Sequence, residues 1–557
     1  MRRFSLLVVV FSMCLFGVSA VRTAEGAAGG ADPLVWGRHK VVSETYDLGD
    51  RAFKLPGGLG RAELAGVVHH PRGPRGKRFP MVVFLHGLYD TCTGGGDAGT
   101  SWPCPRGSRA IPSYRGFDYI GRRLASHGYV VVSISANGIN APDHGGPSRE
   151  GMNARGLLVQ KHLDLWKQWS AKGGKPFGKR FLGAIDFMRV GTMGHSRGGE
   201  GVVRHYEINA ARGRPYGVRA VLPLDPSDFF RPVATGTAMA VVLARCGGKG
   251  IGVEYYDDAR YRLAGDRGAK HTVTVMGANH NYFNTVWTQD DWRGDRRSAC
   301  HPSRPTRLTA AQQRNVGIAY VAGFFRSHLG GERALAPMWR GETVPRSIAP
   351  AKVLVSRLAP SRRDVNRLRG AADLRRNALG GKVTTIGAAS VKLCGGPRRL
   401  TCLRRPGASA TEPHQGTADA PGPGLSVLKI SWSGKASYTN AIPARHGNVR
   451  RFRAIVLRGA LDFTDPGNPR GRPQNVRIKL TDARGRTASA ATVRHSAALG
   501  FPPPVGADEE TPFLLNQVRV PLSAFRGVDL RNVRGVSLDF GTTTKGSIGI
   551  TDLAFTE

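Results

Sequence analysis

Long apolar runs are what this sequence lacks. Beyond the first 20 of its 557 residues no segment is apolar enough to span a bilayer, which takes about 20 consecutive apolar residues. Acidic residues are also scarce: 40 Asp and Glu stand against 81 Lys and Arg, a formal net charge of +41. The excess is mostly arginine, scattered along the chain and not gathered on one binding element. Two explanations stand: a general compositional bias, and attraction to an anionic polysaccharide or cell-wall polymer. No nucleic-acid-binding motif is visible, which argues against a specific nucleic-acid partner. Cysteines are few, seven in all, and no two have the Cys-x2-Cys spacing of a zinc site. Nothing calls for a metal or a cofactor.

The apolar stretch that does exist lies at the start. Arg2 and Arg3, the apolar Leu6 to Val18 and the small Val18-Ser19-Ala20 have the layout of a secretory signal peptide over residues 1–20. A membrane anchor is the competing reading, but the run is short for a span. Loss of the signal removes Cys14 and leaves an even number of cysteines, as suits an oxidising compartment. Proximity along the chain pairs Cys92 with Cys104, Cys246 with Cys300 and Cys394 with Cys402. These features predict a secreted, extracellular protein.

Strand and helix patterns alternate over residues 34–345. Lys40–Asp47 and Ala62–His69 read as strands around a Pro-Gly-Gly turn, and Pro80–Leu85 and Tyr129–Ser135 as buried strands. Leu157, Leu158, Leu165, Trp166 and Trp169 form one helical face. Further strands are expected at Arg219–Leu224, Met239–Ala244 and Thr272–Met276, and Thr309 with Gln312 makes a capping box for a late helix. The alternation implies an α/β sheet covered by helices on both faces. Residues 346–425 are rich in Arg, Pro and Gly and read as a connecting segment. Residues 426–557 carry short alternating strands, such as Val476–Leu480 and Val536–Phe540, and predict an all-β sandwich. Its closing pattern, Val520–Phe525 followed by Gly546–Leu553, resembles galactose-binding-like jelly rolls, which implies a carbohydrate-binding role.

The most informative motif is Gly194-His195-Ser196-Arg197-Gly198-Gly199, between an apolar strand ending at Met193 and a predicted helix. A Gly-x-Ser-x-Gly in that setting is a nucleophile elbow. Glycines two before and two after the serine relieve the crowding of so tight a turn. The strained turn lifts the Ser196 hydroxyl above the sheet. A serine hydroxyl needs a general base, and in this arrangement the base follows the nucleophile in the chain. His280, directly after the last buried strand, is the best placed; His271 sits at that strand's other end, and His195 within the elbow reads as a packing residue.

With these residues the chain resembles the α/β-hydrolase superfamily over residues 80–330. It is most similar to secreted bacterial esterases of the cutinase, polyester-hydrolase and dienelactone-hydrolase kind. The resemblance places the nucleophile at Ser196, the base at His280 and the first oxyanion segment at His86-Gly87. Its implied oxyanion donors are the Leu88 and Arg197 amides. The acid departs from the family pattern, because the loop after Met239–Ala244 reads Arg245-Cys246-Gly247-Gly248-Lys249-Gly250 and has no carboxylate. Asp225, in a Leu-Asp-Pro like that of pancreatic-type lipases, is the first choice, with Glu254 and Asp228 as alternatives. The Arg197 side chain is expected to pair with Glu200. His86, Asn137 and Trp102 are expected at the substrate cleft, with Asn140 facing it and the Gly94–Gly96 loop forming a wall.

The expectation is a serine esterase working through an acyl-enzyme on an ester substrate, polymeric substrates included. Rival readings keep the fold but change the bond to an amide, lactone or thioester, or make the protein an acyltransferase. A last rival is a catalytically degenerate surface- or polysaccharide-binding protein.

Overall fold

The computed structural model describes residues 31–557 apart from 75, 248–251, 263–265, 267, 293–295, 297, 396–425, 464 and 501–514. The signal-peptide reading and Cys402 therefore lie outside the described residues. None of the described helices is long and apolar enough to cross a membrane.

The first half is a mixed nine-stranded sheet. Its strands are β1 (Val41–Asp47), β2 (Ala65–Pro71), β3 (Phe79–Leu85), β4 (Val130–Ile134), β5 (Ile185–His195), β6 (Val218–Leu224), β7 (Ala238–Ala244), β8 (Lys270–Val275) and β9 (Val353–Leu358). They lie in the order β1-β2-β4-β3-β5-β6-β7-β8-β9. From β4 through β8 every pairing is parallel; β1, β2 and β9 pair antiparallel. Parallel strands with both faces covered read as unbroken apolar runs, and β3, β4 and β8 are buried at every residue.

The pleat sends alternate residues to two cores. Met81, Val83 and Leu85 face one core with Leu158, Trp166 and Val202. These last come from helices α2 (Arg149–Lys172) and α3 (Arg197–Ala211). Val82 and Phe84 face the other core with Ile120, Leu124 and Phe325, contributed by α1 (Asp118–Ser126) and by α6 (Gly323–His328). Ser148 caps α2 by accepting from the Gly151 N–H at 2.9 Å. The capping box of Thr309 and Gln312 opens α5 (Ala310–Gly317), which runs through a π turn (Ile318–Ala322) into α6. Between β7 and β8 lies α4 (Glu254–Arg262).

The second half is an all-antiparallel nine-stranded sheet around its own core. It contains β10 (Arg362–Asn366), β11 (Val383–Gly395), β12 (Ser426–Ala441), β13 (Ala454–Leu461), β14 (Arg477–Asp482), β15 (Thr487–Ala491), β16 (Asn516–Pro521), β17 (Val533–Phe540) and β18 (Lys545–Thr556). Residues 346–425, read from composition as a connecting segment, contain β9, which extends the first sheet, and β10 and β11, which join the second. Of these strands β10 carries Arg362 and Arg363, both half-buried, while β11 has no arginine and, among the described residues, pairs with β12 alone. β13 escapes the alternation test because all eight of its residues are buried.

The two halves meet through polar contacts. Arg458 of β13 donates to Asp257 of α4 at 2.6 Å and to Asp552 of β18 at 3.0 Å. Its guanidinium also lies 4.6 Å from the Tyr256 ring centre. The Gln517 N–H donates to the Ser356 hydroxyl at 3.0 Å, and the Gln517 side-chain oxygen accepts from the Arg357 N–H at 3.0 Å.

Candidate active site

Ser196 stands between the end of β5 and the start of α3 with φ 57° and ψ −129°. That backbone is costly for a non-glycine residue and is held here by the crossing of elements. A Cβ on Gly194 would sit 1.9 Å from the Gly198 carbonyl oxygen, and one on Gly198 would sit 2.5 Å from that of Leu85. Both glycines of the elbow are therefore required by space. Gly87 is equally constrained: a Cβ there would lie 2.5 Å from the Ser196 Cβ, so the segment after β3 lies directly against the serine.

His280 follows β8, and its Nδ1 lies 2.6 Å from Asp225 Oδ2. The other Asp225 oxygen accepts from the Ala244 N–H at 2.8 Å. The carboxylate thus has a fixed orientation, and Nδ1–H donation to it leaves the His280 Nε2 lone pair free. Burial alone would lower the His280 pKa; the Asp225 hydrogen bond and charge, with Asp291, outweigh it and leave the pKa raised. The His280 N–H donates to Asp291 Oδ1 at 3.1 Å. Among the described residues no hydrogen bond joins Ser196 to His280, a contact that is often long before substrate binds.

The alternative acids are elsewhere. Glu254 and Asp228 are buried around Arg231 and Tyr255. Burial, followed by smaller contributions such as the Asp257 charge, pushes the Glu254 carboxyl up to about 8. His195 donates from Nε2 to the His280 carbonyl at 3.0 Å and packs 4.5 Å from the His280 ring. Cys246 and Cys300 form a disulfide, which ties the loop after β7 to the chain beyond His280. Cys92 and Cys104 form a second within the loop after β3.

Several expected contacts resolve differently. The Arg197 side chain does not pair with Glu200; it donates to the Asp143 carboxylate at 3.1 Å and to the Gly145 carbonyl at 3.0 Å. Glu200 instead accepts from the Phe229 and Phe230 N–H groups at 2.9 and 2.8 Å. His86 is buried, with Nδ1 donating to the Gly87 carbonyl and Nε2 accepting from the Ala136 N–H, each at 2.9 Å. Burial pulls its pKa down to about 4, so the ring is neutral and both nitrogens serve the backbone. The Asn137 amide donates to Ile111 O at 3.0 Å and Thr91 O at 3.2 Å. Trp102 donates to Asp50 O at 3.0 Å. These polar groups hold loops; His86 and Asn137 are buried, whereas Trp102 is half-buried.

No protein-family model matches the chain. It is similar to bis(hydroxyethyl) terephthalate hydrolase of Streptomyces coelicolor, with 34% identity over 109 residues, 19% of this chain and 27% of that protein. The chain thus matches about a quarter of that relative's length.

Sequence reasoning missed Tyr89 and Trp287, which stack at 4.9 Å with Trp287 also 5.0 Å from the His195 ring. It also missed the buried Asp143 and Arg155, paired at 2.5 Å. Arg155 carries a usable signal: it falls on the apolar stripe of α2 with Ala154, Leu158 and His162, where a charge must be paired.

Proposed function

We propose that this chain is a secreted serine hydrolase that cleaves carboxylic esters through an acyl-enzyme. The observation that carries the reading is the 2.6 Å contact of His280 Nδ1 with an anchored Asp225, beside the strained Ser196. In this scheme the Ser196 oxygen attacks the ester carbonyl and its proton passes to His280 Nε2. Asp225 stabilises the imidazolium without taking the proton. The tetrahedral oxyanion is held by the Leu88 and Arg197 N–H groups. Collapse expels the alcohol with the proton from His280. Water then enters by the same path, and the carboxylic acid leaves with Ser196 restored.

Two observations bear on setting and substrate. The disulfides suit an oxidising compartment. Tyr89, half-buried and stacked on the buried Trp287 beside His195, offers an aromatic face, and together with the named relative it makes aromatic carboxylic esters the first class to try.

The test is hydrolysis of p-nitrophenyl acetate, butyrate and octanoate and of bis(hydroxyethyl) terephthalate, beside Ser196→Ala. Ester turnover abolished in the serine variant is the expected result. A folded chain that leaves all four esters intact, or a fully active serine variant, would overturn the reading.

A further inference from the structure

We infer that Asn140 is a positioning residue for the oxyanion hole: its side-chain amide, oriented by the buried Arg155–Asp143 pair, holds the Gly87 carbonyl and so aims the Leu88 N–H at the substrate oxygen. The inference rests on the ester-hydrolase reading above.

The peptide unit between Gly87 and Leu88 is planar, and in the trans form its C=O and N–H point in opposite directions. Whatever fixes the carbonyl therefore fixes the amide. Two buried groups hold that carbonyl: Asn140 Nδ2 donates to it at 3.0 Å and His86 Nδ1 at 2.9 Å. The same peptide lies against the nucleophile, since a Cβ on Gly87 would come within 3.2 Å of the Ser196 Oγ.

The orientation of the Asn140 amide is also set. Its oxygen accepts from Arg155 Nη2 at 2.7 Å, which leaves the NH2 for Gly87. Arg155 is fully buried, and its Nη1 donates to Asp143 Oδ2 at 2.5 Å. The same carboxylate accepts from Arg197 Nη1 at 3.1 Å. One buried chain of bonds, Arg197–Asp143–Arg155–Asn140–Gly87, thus joins the two segments that supply the proposed oxyanion donors. The turn bearing Asn140 is fixed from its other end by Glu63, which accepts from the Asn137 N–H at 2.7 Å and the Gly138 N–H at 2.8 Å. Burying two arginines and two carboxylates carries a desolvation cost that apolar side chains would avoid. Fixed geometry at the oxyanion is what the arrangement provides in return.

Steady-state kinetics of Asn140→Leu and Asn140→Asp on p-nitrophenyl butyrate test the inference, with melting temperatures recorded. The expected result is a fall in kcat of about 10- to 100-fold with KM within about twofold, since an oxyanion donor acts in the transition state. The acid limb of the pH profile, set by His280, stays where it is in the wild type. Retention of kcat within about threefold overturns the inference, as does a rise in KM matching the fall in kcat, or a displaced pH limb. Should Asn140→Leu not fold, Asn140→Asp carries the test: it has the same shape and, as a carboxylate, offers Gly87 no donor. Wild type and Ser196→Ala are run alongside. A wild type without Ser196-dependent turnover sinks the ester-hydrolase reading and this inference with it; an active wild type with unaffected Asn140 variants sinks this inference alone.

Discussion

His195 and Leu224 face each other across the parallel pairing of β5 and β6, so the residues that follow them, Ser196 and Asp225, leave the sheet side by side. Both have positive φ, 57° and 39°. Neither is glycine, and each such residue costs on the order of 1–3 kcal/mol. The neighbouring strands hold them there: the Ser196 N–H donates to the Leu224 carbonyl at 3.1 Å, and the Asp225 N–H to that of Val242 at 2.6 Å. The proposed nucleophile and acid thus leave the C-terminal ends of two central, adjacent strands, with their backbones fixed by these bonds and the Asp225 carboxylate by the Ala244 N–H.

Asp225→Asn should lower kcat by about 10³- to 10⁴-fold, the size expected when a triad histidine loses its orienting carboxylate. His280 serves as a base only when neutral, and its pKa lies above the ordinary 6.5. In the wild type, kcat/KM should therefore rise with pH through a midpoint above that value. Removing the Asp225 charge should move the midpoint down. A pH–rate profile of both proteins checks this; near-normal activity in the variant would mean another group orients His280.

Gly87→Ala should lower turnover steeply while leaving the fold intact. The added methyl meets the Ser196 Cβ at 2.5 Å and the His195 carbonyl oxygen at 2.7 Å, both on the rigid elbow. We expect a loss of about 100-fold or more, as when an oxyanion donor is removed. Kinetics beside circular dichroism separate a displaced oxyanion segment from a misfolded chain. An alanine variant of normal activity would show that this segment moves freely away from the serine.

Glu254→Gln should change how stability depends on pH. Burial raises the folded-state pKa of Glu254 from 4.5 to about 8. Between those values the folded state keeps a proton that the unfolded state has released, so stability falls as pH rises and levels off above about 8. Glutamine has no such proton, and its melting temperature should decline less between pH 5 and 8. Parallel slopes for the two proteins in calorimetry would show that Glu254 is ionised in the folded protein.

Arg458→Ala should destabilise the protein by about 3–5 kcal/mol, because it leaves Asp257 and Asp552 without a buried cation they now contact. Both the α/β half and the antiparallel half should feel the loss, since Asp257 belongs to α4 and Asp552 to β18. Denaturant unfolding followed by tryptophan fluorescence reads it. A change below about 1 kcal/mol would place the pair among solvent-screened ones.

How much was legible in the sequence depends on the kind of interaction. Buried parallel strands announce themselves as apolar runs, and β3, β4, β6, β7 and β8 lie where those runs predict. The capping box at Thr309 is a local pattern and is present. By contrast, β9, β10 and β11 lie in a stretch whose average composition is rich in Arg, Pro and Gly, and that average hides the local Val-Leu-Val of β9 and the arginine-free run of β11, while β10, with Arg362 and Arg363, is a strand through its pairing with β18. Arg197 shows the same limit. Glu200, its neighbour on the helix, was the expected partner, but Asp143 comes from a loop 54 residues away.

The sequence by itself determined the elbow at Ser196, the α/β alternation that surrounds it and the antiparallel character of the C-terminal strands, because each depends on residue order over a few positions. Only the tertiary structure decided which carboxylate meets His280, what Arg197 pairs with and which groups hold the Gly87 carbonyl. Asp225 and His280 are 55 residues apart in the chain. Three acidic residues were compatible with that role in one dimension, and the parallel pairing of β6, β7 and β8 brings just one of them, Asp225, to the imidazole.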